Sequence, residues 1–161
     1  MTGQFPEAFF KDAVDFLFTE TFTEVRGAYL DRGTSLFETL ATIDAAEASK
    51  PLSPCCGSIA AQVYHTRFYI DVSEQYMNGT PPENVDWDGS WTAVTTVNDE
   101  EWQALIGDLS ASVERVKATA DSYDNWAVPD RVNGALTILM HSAFHLGQIR
   151  QSLCTIKTCL P

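Results

Sequence analysis

The sequence is poor in positive charge and has no long apolar run, and each shortage excludes a class of protein. Ten lysine and arginine residues stand against 22 acidic residues, so the net charge is −12 at pH 7. The basic residues are scattered, and no basic cluster is present to neutralise a phosphate backbone. Binding to nucleic acid or to an anionic membrane surface is therefore not expected. No apolar run approaches the roughly 18–20 residues that a membrane-spanning helix needs.

Signals for export and for disulfide bonding are also missing. The N-terminus lacks the basic region and apolar core of a signal peptide, so a cytoplasmic protein is expected. There are only four cysteines, namely Cys55, Cys56, Cys154 and Cys159. Thiols stay reduced in the cytoplasm, and free thiols are the plainer interpretation. A reactive or redox-active thiol at Cys55 or Cys56 is the alternative.

Helical periodicity dominates what the sequence does contain. Apolar residues recur at helical spacing in stretches that end at Gly, Pro or Asn. Helices are predicted at about 6–25, 35–48, 59–77, 98–123 and 130–156. Whether the first two stretches form one bent helix or two helices stays open. All 161 residues are interpreted as one all-α domain, an antiparallel bundle of four main helices.

Capping residues and loop signals support these boundaries. Ser35 with Glu38, and Asn98 with Glu101, have the spacing of a capping box, and Ser58 is a suitable N-cap. The segments between the helices carry Pro-Pro, Asn-Gly and Asp-Gly pairs, which are typical of loops. The longest loop is predicted at 78–97, and its last six residues are a candidate for a short extended piece. Loops of this length often cover or form binding sites.

The chain has only three histidines, and they fall into one pattern. His141 and His145 lie four residues apart in the last predicted helix, where such side chains are neighbours with Cβ atoms about 5–6 Å apart. His65 lies in the apolar stripe of the helix predicted at 59–77. Three imidazoles from two facing helices supply three ligands to an ion and leave a position open for water or substrate. The spacing leaves a second interpretation open, in which all three are partly buried neutral imidazoles with one hydrogen bond each.

These residues resemble the motifs of a known family. Residues 141–149 (HSAFHLGQI) are similar to the HxxxHxGQ signature in the last helix of the DinB/YfiT-like family. Residues 58–65 (SIAAQVYH) resemble the start of that family's second helix, and residues 35–40 (SLFETL) the end of its first. The likeness extends from about Thr34 to Thr155.

The resemblance implies a fold and a set of ligands. The family has an up-down-down-up four-helix bundle, often dimeric, with a divalent metal held by three histidines. By position the ligands here are His65, His141 and His145. Phe144 and Leu146 stand where many members have histidine and arginine, but neither is a ligand position.

A metal site of this kind suggests an enzyme. Zinc and nickel suit imidazole ligands best, and iron and manganese also fit. Members of the resembled family include low-molecular-weight thiol S-transferases. A metal-dependent transferase or hydrolase is therefore expected, with a thiol or water as nucleophile, a small-molecule substrate, and the loop around 87–91 as a cover. Glu20, Glu24 and Tyr69 are candidate proton acceptors, and solvated or core-edge roles are the alternative for each.

Two further expectations concern the surroundings of the site. Gln148, three residues from His145, is a candidate to hydrogen-bond near the ligands, or else a polar contact between helices. A homodimer is expected from the resemblance, through the final helix or near Trp102. The alternative to an enzyme is a non-catalytic, dimeric stress-response or interaction module in which the ion only staples helices. A staple is closed by a fourth protein ligand, and the sequence offers no obvious one.

Overall fold

Every regular element in the described part of the chain is a helix. The structure is a computed structural model that describes residues 6–53 and 55–158. The helices are α1 (Glu7–Phe22), α2 (Leu36–Leu40), α3 (Ala45–Ala48), α4 (Ile59–Met77), α5 (Gly89–Thr92), α6 (Asp99–Asp121) and α7 (Pro129–Thr158). The four long helices α1, α4, α6 and α7 form the bundle, which confirms the predicted fold class. Within these residues no helix combines the length and apolarity needed to cross a bilayer.

Polar contacts show that α4 and α6 run in the same direction. Near the middle of α4, Arg67 pairs with Asp108 at 2.8 Å. Further along both helices, the Thr119 hydroxyl donates to Glu74 Oε1 at 2.7 Å. Because both partners advance together along their helices, the two helices are parallel, and the antiparallel arrangement expected from the helical pattern is wrong for this pair. Parallel neighbours need a long crossover connection, in contrast to the short loops of an up-down bundle.

The other helix pairs are antiparallel. Gln62 near the start of α4 contacts Ser152 near the end of α7, with a nitrogen-to-oxygen distance of 3.4 Å. Lys11 near the start of α1 pairs with Asp121 at the end of α6 at 3.2 Å. Since α1 opposes α6 and α7 opposes α4, the order of directions is up-down-down-up. This is the topology that the resemblance implies.

The crossover runs back along α4, from the end of that helix to its start. A helix of 19 residues such as α4 is about 28 Å long, and the connection 78–98 has to span that length. Trp91 of the connection stacks on His65, with ring centroids 4.0 Å apart. Closer to α6, the carbonyl of Thr95 accepts the hydroxyl of Ser58, the N-cap of α4, at 2.7 Å. The long loop is therefore a consequence of the topology, and its path places it over the histidine-bearing part of α4.

The region predicted as one helix at 35–48 consists of two short helices. The N–H of Ser35 donates to Glu38 Oε2 at 3.1 Å, which confirms the predicted start. The first helix ends at Leu40, and Asp44 then caps a new one by accepting the N–H of Glu47 at 2.8 Å. Aspartate is a strong N-cap, so the sequence starts a second helix instead of continuing the first.

Two other local predictions have different outcomes. The cap at the start of α6 is confirmed, since Asn98 Oδ1 accepts the N–H of Glu101 at 2.9 Å. The extended piece suggested for 92–97 is not a strand, and α5 occupies 89–92. At the start of α5 the N–H of Gly89 donates to Asp86 Oδ1 at 2.8 Å.

Candidate metal centre

The bundle brings all three histidines to one point between α4 and α7. Each offers a ring nitrogen, and these nitrogens lie within 4.8 Å of one another. The ring centroid of His65 is 5.0 Å from that of His145 and 5.1 Å from that of His141. Among the described residues this is the one cluster of three or more groups with metal-ligand chemistry. The predicted convergence of the histidines is therefore what the structure shows.

Close packing of α4 on α7 makes this approach possible. Gly134 of α7 lies against Met77 of α4, and a Cβ at position 134 would sit 2.1 Å from Met77 Cγ. Further along the same pair of helices, His65 and His145 are both buried, with 6% and 2% of their surfaces exposed. His141 is half-buried, one turn before His145. The site thus lies inside the bundle with one imidazole nearer the surface.

The three imidazoles are neutral at pH 7. Burial, together with charge repulsion from the neighbouring His145 and His65, lowers the pKa of His141 to about 3. Burial and the charge of His65 lower the pKa of His145 to about 4, while the side chain of Gln148 acts in the opposite direction by hydrogen bonding. Burial also lowers the pKa of His65. Neutral imidazoles carry the lone pair that metal coordination requires.

Unpaired ring nitrogens support a shared ion. His141 Nε2 and His145 Nδ1 are buried and have no hydrogen-bond partner among the described residues. Leaving a polar atom buried and unpaired costs about 1–3 kcal/mol, so each such atom calls for an explanation. Imidazole nitrogens bind zinc at about 2.0–2.1 Å in tetrahedral geometry, which places the ligand nitrogens of one ion about 3.3–3.4 Å apart. An inward rotation of the side chains would bring the three nitrogens, which lie within 4.8 Å of one another, to that spacing, and the residues present fit a divalent ion.

Ser90 contacts the cluster from the crossover. Its Oγ lies 2.7 Å from His65 Nδ1, so the nitrogen left to face the other two histidines is His65 Nε2. The same hydroxyl lies 2.6 Å from the carbonyl of Trp87 and donates to it. Ser90 is buried, with 2% of its surface exposed. Sequence patterns do not predict this contact, because it depends on where the crossover lies against α4.

Aromatic rings cover two of the histidines. Trp91 lies flat on His65, with ring planes 20° apart, and its centroid is also 5.5 Å from that of His145. Tyr69 lies flat on His141, with centroids 3.6 Å apart. Trp87 packs against Tyr69 at 5.7 Å. The loop around 87–91 therefore lies over the site, where the sequence led us to expect a cover.

A groove of about 700 Å³ is lined in part by Trp91. One wall carries the exposed thiols of Cys55 and Cys56, and Gln148 of α7 also lines it. Gln62 of α4 contributes a side-chain oxygen that is buried and has no partner among the described residues. The groove is large enough for a small organic molecule, since ligand pockets are commonly about 300–1,000 Å³.

Of the candidate proton acceptors, Glu20 has a structural role. It is fully buried in α1, and its carboxylate accepts four backbone N–H groups, those of Arg26, Ala28, Tyr29 and Leu30. Burial alone would raise the pKa of Glu20, but these donors outweigh it and lower the pKa to about 2. A carboxylate so fully occupied anchors the turn after α1 and is a poor proton acceptor. Glu24 is exposed, whereas Tyr69 contacts the cluster through its stacked ring.

Comparison with known proteins supports the fold. No family profile matches the chain, and no curated protein matches it in sequence. A crystal structure described as the conserved protein of a locus from Enterococcus faecalis superposes with a TM-score of 0.64. The match covers 97% of this chain and 99% of that chain, at 19% sequence identity. At this level of identity the chain shares the helical fold with that protein, and the likeness extends no further than the fold.

Proposed function

We propose that the protein is a DinB/YfiT-like metalloenzyme in which His65, His141 and His145 hold one divalent ion. The observation that carries this proposal is the convergence of three neutral imidazoles within 4.8 Å. Two of them have buried ring nitrogens without another partner among the described residues. No carboxylate or thiol joins the cluster within those residues, so three protein ligands leave a coordination position open. An open position is the mark of a catalytic site.

Zinc and nickel suit these ligands best, and iron and manganese remain compatible. When bound, such an ion activates a water or a thiol at neutral pH and polarises a substrate oxygen. The protein's own residues would bind and orient the reactants. We therefore propose a transferase or hydrolase acting on a small molecule, with a low-molecular-weight thiol or water as nucleophile.

The groove beside Trp91 is where a substrate or thiol would bind. Its walls combine the indole of Trp91 with the side-chain amides of Gln62 and Gln148. An apolar surface with a few amides suits a small molecule that carries both apolar and polar groups. Because Trp91 both lines this groove and stacks on His65, a movement of the indole would open the histidines to the groove.

The alternative is a non-catalytic module in which the ion staples α4 to α7. A staple needs a closed coordination shell, usually with four protein ligands. The cluster contains three histidines, and the described residues supply no fourth side chain. This observation favours the enzyme.

Metal analysis of protein purified without a histidine tag tests the ligand assignment. We expect one divalent ion per chain in the wild type and loss of that ion in His65→Ala, His141→Ala and His145→Ala. Asn133→Ala, an exposed change two turns before His141 on α7, is the matched control and keeps the metal. Circular dichroism shows whether each variant folds. Full metal occupancy in folded His141→Ala and His145→Ala would exclude the proposed site.

An activity screen then separates the enzyme from the staple. Zinc-loaded and nickel-loaded proteins are assayed for transfer of glutathione or cysteine to a chromogenic aryl halide, and for hydrolysis of a chromogenic ester. Turnover that disappears in His145→Ala supports the enzyme. Full metal occupancy without turnover of either kind favours the staple.

We also propose that the protein is a homodimer through α7. Leu136, Met140 and Phe144 follow one another at i, i+4 and i+8, and 38%, 70% and 60% of their surfaces are exposed. The other predicted face does not fit this role, because Trp102 is buried in the core and its indole N–H donates to the carbonyl of Ile43 at 2.8 Å. Exposed apolar side chains in a row are typical of a contact surface.

A further inference from the structure

We propose that Ser90 is a positioning residue that links the segment 86–92 to the metal centre, so that binding of the ion and closure of this segment are coupled. Residues 86–92 are called the covering segment below. The inference rests on the proposed function, because it takes His65 as a metal ligand. It adds a residue outside the histidine set and a conformational consequence of metal binding.

The hydrogen bonds of Ser90 determine which tautomer of His65 is present. A serine hydroxyl has one hydrogen, and that of Ser90 donates to the carbonyl of Trp87 at 2.6 Å. Toward His65 the same oxygen can therefore only accept, and the donor is His65 Nδ1–H at 2.7 Å. The proton on Nδ1 leaves the lone pair on Nε2, toward the other two histidines. Ser90 thus selects the tautomer that a metal ligand needs.

The opposite tautomer would break this arrangement. With its lone pair on Nδ1, His65 would need the Ser90 hydroxyl as donor, and the carbonyl of Trp87 would lose its partner. His65 Nε2 would then carry a hydrogen aimed at the ligand position. Correct presentation of the lone pair and the closed position of the covering segment therefore require the same hydrogen bonds.

Two ring contacts reinforce this link. Trp91 stacks on His65 at 4.0 Å, on the same imidazole that Ser90 holds. Trp87 packs on Tyr69 at 5.7 Å, and Tyr69 stacks on His141. The covering segment thus contacts His65 through Ser90 and Trp91, and it reaches His141 indirectly through Trp87 and Tyr69. A change in the position of these imidazoles changes all three contacts together.

The coupling has to act in both directions. If closure of the covering segment raises the affinity for the ion by some factor, binding of the ion favours closure by the same factor. Metal-free protein is therefore expected to open this segment more often than metal-bound protein. The same motion would admit a molecule from the groove, since Trp91 lines the groove and also stacks on His65.

Ser90→Ala tests the link, with Ser142→Ala as the matched control. Both serines are buried, but the hydroxyl of Ser142 has no hydrogen-bond partner among the described residues, and it lies next to His141 in sequence. Zinc affinity is measured by competition with a chromophoric chelator. We expect Ser90→Ala to bind zinc about 10- to 100-fold more weakly, the usual effect of losing the partner of a ligating histidine. Ser142→Ala is expected to bind zinc as the wild type does.

Hydrogen exchange of the wild type supplies a readout independent of any variant's folding. The amides of 86–92 are followed by mass spectrometry with and without zinc. We expect zinc to slow their exchange in the wild type and to slow it much less in Ser90→Ala. Nitrogen-15 NMR of the metal-free wild type should show His65 protonated at Nδ1.

Three outcomes would overturn the inference while the proposed metal site stands. They are unchanged zinc affinity in folded Ser90→Ala, exchange of 86–92 that does not respond to zinc in the wild type, and a His65 protonated at Nε2. Failure of the proposed function gives a different result from these three. The wild type would then bind no stoichiometric metal, and the coupling would be excluded as well.

Discussion

The phenol ring of Tyr69 lies flat against the imidazole of His141, with ring centroids 3.6 Å apart and planes inclined by 12°. His141 is the one histidine of the cluster that is only half-buried. The stacked ring therefore restricts the rotation of an imidazole that the core of the bundle does not fully enclose. Tyr69 comes from α4 and His141 from α7, so this contact also spans the two helices that carry the ligands.

Removing this ring should weaken metal binding. In Tyr69→Ala the imidazole of His141 gains rotational freedom, and we expect zinc affinity to fall by roughly tenfold, the lower end of what supporting contacts contribute. Tyr69→Phe keeps the stacked ring and should bind zinc as the wild type does. Tyr76→Ala removes an exposed tyrosine of the same helix and serves as the control. Equal affinity in Tyr69→Ala and Tyr76→Ala would show that the stacking does not support the ligand.

Substitution by alanine at two glycines of α7 should change the free energy of unfolding in opposite directions. A Cβ at Gly134 would lie 2.1 Å from Met77 Cγ, whereas a Cβ at Gly147 would meet nothing within 4 Å. We expect Gly134→Ala to lower the free energy of unfolding by about 1–3 kcal/mol through overpacking. Gly147→Ala should raise it by about 0.5–1 kcal/mol, because alanine is the better helix former. Urea denaturation measures both, and a destabilised Gly147→Ala would contradict the packing described for this helix.

The histidine cluster could be predicted from the sequence because its physical basis is local. His141 and His145 share a helix face through their spacing, and His65 lies in the apolar stripe that α4 must bury. Once these two helix faces pack against each other in one core, the imidazoles on them meet. The resemblance to the DinB/YfiT-like motifs indicates the same residues. That the chain belongs to this family stays a prediction.

Ser90 and the separation of α2 from α3 could not be predicted in the same way. The Ser90 contact depends on the path of a crossover, which follows from the parallel arrangement of α4 and α6 and not from any local pattern. The pattern 35–48 is apolar at helical spacing throughout, and the competing N-cap at Asp44 decides where it breaks. The sequence pattern also does not predict the burial of Glu20, because its backbone partners lie in the turn after α1.

Charge placed on the exposed row of α7 should separate the proposed dimer. Met140 is the most exposed of the three apolar residues, at 70%. In Met140→Asp an interface through this face would have to bury an unpaired carboxylate, and we expect a monomer by sedimentation velocity. Ala104→Asp, an exposed change on α6, is the control and should leave the dimer intact. A wild type that stays monomeric at high concentration would exclude the dimer itself.

Glu20 predicts how the stability of the fold depends on pH. Its pKa in the folded protein is about 2, below the ordinary value of 4.5, so the unfolded chain binds the proton more readily between those values. The stability that the carboxylate contributes is therefore complete above about pH 4.5 and is lost as the pH falls toward 2.

In Glu20→Gln the four N–H groups lose a charged acceptor, which lowers Tm at neutral pH. Because this variant has no proton to gain there, its Tm should fall less steeply than that of the wild type on acidification below about pH 4.5. Glu24→Gln changes an exposed side chain four residues along and should follow the wild-type curve. Thermal unfolding followed by circular dichroism measures Tm across this pH range. If Tm falls equally steeply with pH in Glu20→Gln and in the wild type, the buried carboxylate does not anchor the turn.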